Sequence, residues 1–547
     1  MNRYKNISLI ISFLATAGII SCTKLDQSLN STLTNTQASN ALGANGTALL
    51  LQTAYNDIGN PYSDLGNIFA LEEVSGDECV VPTRGGDWDD NGKWRNLHQH
   101  KWTVDGVDVI LNQFNTLNKI NFDATNVLAF TPTAGQAAEA RFIRALALYQ
   151  LLDLYGQFPY RDPGENLLNA PRVYTGDSAI NFIISELTEI LPQLDTKNTL
   201  IQANQDAVKF LLMRCYLNKG AFINRAAPTF ADADMQQVIT LGNEIINSGK
   251  YSFTTNFFDN FNATNSGSKE GIFAYPNTSG VSVNNSGINN RWMATVHYNQ
   301  YTPLNPAAGW NGFSTVAEFY NSFGVSTAAT QTPADTLLDK RIGGRFYKGS
   351  TDISGIRPGL LIGQQYNEKG EKETDRKGNL LIFDPNISSD LKETGNNLEI
   401  TGIRVVKYVP DYSNNGANYN SASGNWLMLF RYPDVKLMVA EAKMRAAAAD
   451  NAGALAIVNE LRTARGASTL SSIALVNPSN VYEPSTLLAE RGRELYWEAV
   501  RRTDLIRFGV FTKAWAYKSA SDAKYLVYPI PTQALAANPN LKQNSGY

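Results

Sequence analysis

Cysteine and histidine are scarce in this sequence, with three residues of each among 547. So few cysteines exclude a disulfide framework and any metal cluster built from several thiolates. Positive charge is not in excess either, because 47 lysines and arginines stand against 50 acidic residues, a net charge of −3. We therefore expect no nucleic-acid partner. A glycine-rich phosphate loop after a strand is also lacking, and no cofactor is expected.

A long membrane-spanning run is missing from the N-terminus. Residues 7–20 are mostly apolar, but this run is shorter than the roughly 20 residues that span a bilayer. It follows Arg3 and Lys5, an arrangement typical of a secretory signal peptide. The run then leads through Ile20 and Ser21 into Cys22, an order that resembles the lipobox of bacterial lipoproteins.

The lipobox resemblance implies a signal peptide over residues 1–21, cleavage before Cys22 and lipid modification of that cysteine, with palmitate as one expected acyl chain. Residues 22–47 are rich in Ser, Thr, Asn and Gln and would form a flexible tether. Two or more acyl chains hold a protein at a membrane almost permanently. An ordinary signal peptide followed by an incidental cysteine is the alternative.

Apolar residues recur with helical spacing in two parts of the chain. In one predicted helix, for example, Ile180, Ile183 and Leu187 share a face, and Pro192 ends the pattern. The predicted helices cover residues 136–155, 178–191, 205–221, 234–248, 434–448, 452–465 and 485–501. Paired helices at regular spacing favour a tetratricopeptide-like scaffold, although the consensus residues of that repeat are absent.

The middle of the chain has a different character. Residues 251–425 are rich in Asn, Ser and Gly and contain short strand-like runs such as 403–409. Long irregular segments in a compact protein are usually functional. We therefore expect a mainly α fold in which residues 48–547 form one unit. A helical scaffold at 103–250 and 430–547 would carry a large, loop-rich mixed insertion, the ligand lobe, at 60–102 and 251–429.

Four sequence stretches, in order along the chain, resemble a known family. They are AEARFIRAL at 138–146 with LYG at 154–156, RYPDV at 431–435 with AEA at 440–442, ERGREL at 490–495 with RRTDLIR at 501–507, and YPIP at 528–531 with NPNL at 538–541 and QNSGY at 543–547. Together with the lipobox they resemble the RagB/SusD family of nutrient-binding outer-membrane lipoproteins of Bacteroidetes.

This resemblance implies a SusD-like fold and a function. The family fold is mostly helical with tetratricopeptide-like units. The implied protein is lipid-anchored at the outer membrane and faces the outside of the cell. It would bind an oligosaccharide or another nutrient without catalysis and deliver it to a TonB-dependent transporter, its expected protein partner.

Aromatic residues in the non-helical segments are the candidate ligand contacts. Sugars present flat C–H faces that stack on Trp and Tyr rings, while their hydroxyl groups need polar partners. Because these segments lack helical periodicity, we expect their rings to face a ligand rather than the core. The expected ligand-binding residues are Trp88, Trp94, Trp292, Tyr298, Tyr301, Trp310, Asp87 and Asn91. Local packing is the alternative for any single ring.

The acidic turn beside Trp88 is a weak calcium candidate. Asp87, Asp89 and Asn91 stand at positions 1, 3 and 5 of a calcium-loop pattern, and Gly92 follows at position 6. The bidentate glutamate of such a loop is missing, because His98 occupies position 12. His98 and His100 also lack an evident third ligand, so no metal is expected.

Glutamates 490, 494 and 498 recur every four residues among several arginines. A glycosidase needs two carboxyl groups that flank the scissile bond from opposite sides, whereas these three would lie along one helix. The pattern therefore favours a structural ion-pair network. Two rival functions remain: a glycan-degrading enzyme that uses carboxylates such as Asp87, Asp89 and Glu318, and a scaffolding helical-repeat protein without a small-molecule site.

Overall fold

The computed structural model of the chain describes residues 45–196, 199–280, 287–302, 308–325, 339–343, 355–412 and 423–547. Residues 45–547 form one compact unit. The signal peptide, Cys22 and the tether up to residue 44 lie outside the described residues and stay predictions. None of the helices in the described ranges combines the length and the apolar character needed to cross a bilayer.

Helices make up most of the regular structure, as the sequence predicts. Those in the described part of the chain are α1 (Gly46–Asn56), α2 (Gly59–Ser63), α3 (Lys93–His98), α4 (Asp108–Leu128), α5 (Ala134–Tyr155), α6 (Gly176–Ile190), α7 (Gln205–Ile223), α8 (Asp232–Asn247), α9 (Asn290–Met293), α10 (Ala317–Asn321), α11 (Asn397–Ile400), α12 (Tyr432–Arg445), α13 (Asn451–Ala464), α14 (Leu487–Leu495), α15 (Arg501–Arg507) and α16 (Thr532–Ala537).

Six of the seven predicted helices are present as α5 to α8, α12 and α13, with ends that differ from the prediction by at most three residues. The long helix α4 was not predicted. Its sequence contains several asparagines, which favour turns and caps over helix interiors. The helix forms because Ile110, Phe114 and Leu117 are buried on one face, which packs against α5.

The scaffold is a continuous layer of neighbouring helices. Helix α4 packs on α5, α5 on α6, α6 on α7 and α7 on α8, and α12 then packs on both α8 and α13. Helix α5 lies at the centre of the first group. It begins with a capping box, in which Thr133 and Gln136 satisfy each other's backbone N–H groups. It ends at Gly156, which adopts a left-handed conformation with φ 71°.

The strands are short and pair two at a time. They are β1 (Thr83–Arg84), β2 (Gln157–Tyr160), β3 (Arg172–Thr175), β4 (Gly271–Tyr275), β5 (Gly359–Leu361), β6 (Gly363–Gln364), β7 (Ile382–Phe383), β8 (Lys392–Glu393), β9 (Arg404–Val406) and β10 (Leu427–Arg431). β1 and β8 are parallel, whereas β2–β3, β4–β10, β5–β9 and β6–β7 are antiparallel. β9 lies within the run 403–409 that the sequence indicated.

Buried ion pairs join the helices to the irregular lobe. In α14, Glu494 contacts Arg465 at 2.8 Å and Arg431 at 3.2 Å. Glu490, one turn earlier, contacts Arg341 of the lobe at 2.8 Å. We call the following residues the central ion network, because their side chains are at most 8% exposed and are linked by ion pairs: Glu270, Arg341, Lys407, Arg431, Arg465, Glu490, Glu494 and Glu498. The predicted structural role of the three glutamates is confirmed.

The predicted single helix over 485–501 is wrong. The chain leaves helical geometry after Leu495 and resumes it at Arg501, and Trp497 and Ala499 between them have φ values of 61° and 60°. The break is stabilised because cations satisfy the carbonyl groups that it frees. Lys407 Nζ donates to the carbonyl oxygens of Glu494 and Tyr496 at 3.2 and 2.7 Å. Helical periodicity cannot show such tertiary partners.

Replacing Glu494 by Gln tests the central ion network. Burial alone would raise the pKa of Glu494, but the guanidinium groups of Arg465 and Arg431 lower it to about 2. A carboxyl group whose pKa is depressed by folding stabilises the protein above its unfolded pKa of about 4.3 and loses this effect as the pH falls towards its folded pKa. We expect Glu494→Gln to reduce the free energy of unfolding by about 3 kcal/mol at pH 6.

Urea unfolding at pH 6, 4, 3 and 2 measures this effect. The difference between wild type and Glu494→Gln should be largest at pH 6 and shrink between pH 4 and 2. Glu460→Gln is the matched control, because Glu460 pairs with Lys436 but its side chain is 53% exposed. This control should change stability by less than about 1 kcal/mol. Equal effects of the two substitutions would contradict the role of the network.

Candidate functional site

Two segments, 85–92 after β1 and the described residues 294–302 and 308–313 after α9, meet through hydrogen bonds. The hydroxyl group of Tyr298 donates to Asp87 Oδ2 at 2.5 Å. The indole Nε1 of Trp88 donates to the carbonyl oxygen of Trp310 at 2.8 Å. The structure therefore brings together four of the eight residues that the sequence proposed as ligand contacts.

Trp88 has an unusual backbone conformation, with φ 60°. For a bulky residue this conformation costs free energy, on the order of 1–3 kcal/mol, so the surroundings must hold it. Trp94 and Phe313 contact its ring edge-on, with ring centroids 5.8 and 5.4 Å away. Gly312 leaves room for the ring, since a Cβ atom there would lie 2.3 Å from a ring atom of Trp88. Asp90, Asn91 and Asn311 also have φ values between 40° and 55°, and such strained residues cluster at functional sites.

Arg376 lies over the ring of Tyr298, with its guanidinium carbon 4.0 Å from the ring centroid. Its side chain is 53% exposed. The Nε atom donates to Glu399 Oε1 at 2.7 Å, while the two terminal nitrogens make no hydrogen bond to the described residues. No local pattern indicated Arg376, because it lies 78 positions from Tyr298 in a hairpin without any motif.

Glu399 and His297 form a hydrogen-bonded pair that holds Arg376 in position. His297 Nε2 lies 2.8 Å from Glu399 Oε2, and the backbone N–H of Asn299 donates to His297 Nδ1. Burial lowers the pKa of His297 to about 4, so the ring is neutral at pH 7. Burial alone would raise the pKa of Glu399, but hydrogen bonds from Arg376 and His297 lower it. The neutral imidazole therefore donates through Nε2 and accepts through Nδ1.

The expectation that all non-helical rings face a ligand is wrong for Trp94 and Trp292. Only 4% of Trp94 and 2% of Trp292 are exposed. Trp94 Nε1 donates to Asp90 Oδ2, and Trp292 belongs to a separate apolar cluster within the lobe with Met293 and Phe383. Trp94 in α3 thus packs into the main hydrophobic core, and Trp292 in α9 packs into the separate cluster. Both helices are too short for a periodicity argument to detect.

The remaining predicted rings are accessible. Tyr301 is 55% exposed, Trp88, Tyr298 and Trp310 are half-buried, and Asn91 is exposed. We define the aromatic site as Asp87, Trp88, Tyr298, Tyr301, Trp310 and Arg376. It combines partly open rings with an exposed carboxylate and an exposed guanidinium group. It differs from the predicted set by the loss of Trp94, Trp292 and Asn91 and the gain of Arg376; Asn91 is exposed, but no contact joins its side chain to the other members.

The side chains of the calcium candidate point to separate partners. Asp87 accepts from Tyr298, and Asp89 pairs with Arg95 at 2.8 Å. In the described ranges no group of three His, Cys, Asp or Glu side chains could hold a metal ion. His98 and His100 are buried, and both nitrogens of each ring lie within hydrogen-bond distance of protein oxygens.

Arg291 connects the aromatic site to the scaffold. Its guanidinium group donates to the carbonyl oxygens of Tyr62, Ser63 and Trp497 at 2.7, 2.6 and 2.9 Å. Trp497 lies in the break between α14 and α15, next to the central ion network. The start of the segment that carries Tyr298 and Trp310 is therefore fixed by the same region that joins the helices to the irregular lobe.

Comparison with known proteins is consistent with this architecture. The model of the SusD family matches residues 269–547, slightly more than half of the chain. The chain belongs to the SusD family. The starch-binding protein SusD of Bacteroides thetaiotaomicron is 25% identical over 501 residues, which cover 88% of this chain and 85% of that protein.

Solved structures of SusD-like proteins share the fold. A SusD superfamily protein from Parabacteroides distasonis aligns with a TM-score of 0.66 and 17% identity, over 94% of this chain and 100% of that one. Surface glycan-binding protein A from Bacteroides thetaiotaomicron, solved in complex with laminarihexaose, aligns with a TM-score of 0.64 and 16% identity, over 92% of this chain and 99% of that one. The predicted mainly α, SusD-like fold class is thereby confirmed.

Gly312→Ala tests whether the SusD-like lobe holds Trp88 in place. Because the new Cβ atom would overlap the indole ring, we expect the ring to move and the near-ultraviolet circular dichroism of the tryptophans to change. Overpacking of this kind costs about 1–3 kcal/mol, so thermal unfolding should shift to a lower temperature.

Gly86→Ala is the matched control, because it lies in the same loop as Trp88 and a Cβ atom there would meet nothing within 4 Å. This variant should keep the wild-type spectrum and unfolding temperature. An unchanged spectrum in Gly312→Ala would show that Trp88 does not occupy the described position.

Proposed function

We propose that this chain is a non-catalytic, lipid-anchored protein of the outer membrane that binds an oligosaccharide and delivers it to a TonB-dependent transporter. The observation that carries the binding part is the aromatic site, in which partly open rings lie beside polar groups that can reach a ligand. Membership of the SusD family supports this proposal, because the starch-binding protein SusD is among the relatives.

The chemistry of the aromatic site suits a neutral, hydroxyl-rich ligand. The rings of Trp88 and Tyr298 can stack on the C–H face of a sugar. Asp87 can accept hydrogen bonds from hydroxyl groups, and the terminal nitrogens of Arg376 can donate to them. Two stacking contacts and several such hydrogen bonds are typical of micromolar binding, on the order of −8 kcal/mol.

The relatives suggest the class of glycan. The names of similar proteins mention starch, laminarin and laminarihexaose, all of which are glucose polymers. We therefore propose a glucan as the first ligand to test. Delivery to a transporter and outward orientation rest on the family resemblance and on the lipobox at Cys22.

Tyr298→Ala should weaken glucan binding about tenfold, because it removes one stacking surface and the group on which Arg376 lies; tenfold corresponds to about 1.4 kcal/mol. Arg376→Ala should weaken binding by a similar factor, through lost hydrogen bonds. Affinity electrophoresis in gels that contain starch or laminarin, followed by calorimetric titration with maltoheptaose and laminarihexaose, measures both effects.

Phe122→Ala is the matched control for these variants, because Phe122 is a 46% exposed ring on α4 that lies outside the aromatic site. It should bind like wild type. If neither glucan is bound while a peptide or another nutrient binds tightly, the glycan part of the proposal is wrong. Release of reducing ends from either glucan would contradict the non-catalytic part.

Cys22→Ala should abolish lipid attachment. Cells that express the wild-type chain and are grown with radioactive palmitate should contain a labelled protein in the outer-membrane fraction. The variant should be unlabelled and leave that fraction, because the acyl chains provide the anchor. A wild-type mature chain without label would contradict the anchor.

A further inference from the structure

A cleft in the helical scaffold shares no lining residue with the aromatic site. It has a volume of about 470 Å³, within the range of about 300–1,000 Å³ that small-molecule sites occupy. Its walls come from α1, from the first turns of α5 and from the residues before α7, and β4 forms its floor. These elements belong to the scaffold or pack directly on it, so the cleft is preformed.

The floor of this cleft is apolar and its rim carries amides. Phe273 and Ala274 of β4 are each 1% exposed. The rim includes Gln52 and Asn56 of α1 and Gln202, whose side-chain amides make no hydrogen bond to any described residue. An apolar floor with neutral donors and acceptors around it suits a ligand that has both a C–H face and hydroxyl groups.

Two fixed polar groups point to a ligand more specifically. The hydroxyl group of Tyr55 donates to Glu139 Oε2 at 2.6 Å and accepts from the backbone N–H of Ala203 at 2.9 Å, so the carboxyl group is held at the cleft with its remaining lone pairs available. Tyr275 is only 6% exposed, and its hydroxyl group has no partner among the described residues. Because this hydroxyl group is not fully buried and Tyr275 lines the cleft, it is available to form a hydrogen bond with a ligand there.

Charge excludes one class of ligand. Among the described residues that line the cleft, Glu139 is the one carboxyl group, and no lysine or arginine accompanies it. Anionic ligands such as phosphates or uronic acids would meet a carboxyl group without a cation to compensate for it. Burial raises the pKa of Glu139, which is consistent with a neutral surrounding.

We propose that this cleft is a second saccharide site, which binds a short neutral sugar such as the end of an oligosaccharide. The inference rests on the proposed function for its ligand class but not on the aromatic site. A chain with two separate sugar sites would hold a long glycan at two points, and it would bind short sugars even when the aromatic site is disabled.

The experiment uses a chain that begins at residue 23, which keeps the whole compact unit, and carries Tyr298→Ala and Arg376→Ala to disable the aromatic site. Saturation-transfer NMR with maltose and with laminaribiose detects short sugars. We expect transfer to at least one of the two. Adding Ala48→Trp should abolish it, because Ala48 lines the cleft on an exposed turn of α1 and a large ring there would fill the space.

Leu49→Trp is the matched control, because Leu49 is the next residue of α1, is 56% exposed and does not line the cleft. It should leave the transfer unchanged. Absence of transfer from both disaccharides, or equal transfer with and without Ala48→Trp, overturns the inference. These outcomes are separate from those for the aromatic site, since starch and laminarin gels report on that site through Tyr298 and Arg376.

Discussion

The buried ion pairs around Glu494 are the interaction on which the rest of the structure depends. They join α14 to Arg431 at the end of β10 and to Arg465 after α13, while Glu490 in the same helix contacts Arg341 of the lobe. Charges in a low-dielectric interior must be paired, and each pair fixes the relative position of two segments. The irregular lobe has little regular secondary structure of its own, so these contacts define where it lies.

The same region also fixes the position of the aromatic site. Lys407 and Arg291 satisfy carbonyl groups in the break between α14 and α15. Arg291 precedes the segment that carries Tyr298 and Trp310. The break between α14 and α15 therefore fixes the position at which this segment leaves the scaffold. Trp88 is held in turn by its hydrogen bond to the Trp310 carbonyl oxygen, and its ring occupies the space that Gly312 leaves free. A rigid frame with partly open rings would reduce the entropy cost of binding the flexible glycan that we propose as the ligand.

The two proposed sugar sites differ in how they are built. The aromatic site lies on loops, and its rings depend on strained backbone and on hydrogen bonds between distant segments. The cleft lies between helices and a short strand, where amide side chains surround an apolar floor. A loop site can vary its rings without disturbing the scaffold, whereas the cleft is limited by helix packing. Different sugar units of one glycan could therefore meet two surfaces with different tolerances.

The sequence by itself determined six helices of the scaffold, their order and the structural role of the three glutamates, because amphipathic spacing and charge spacing are local properties. It also indicated the aromatic residues Trp88, Tyr298, Tyr301 and Trp310. It did not indicate α4, whose asparagines disfavour a helix until its apolar face packs on α5. Only the tertiary structure decided which rings stay open, since the burial of Trp94 and Trp292 depends on lobe segments far away in the chain. The break after Leu495 and the position of Arg376 could not be predicted for the same reason. Their partners are distant in sequence, and a local pattern contains no information about such contacts.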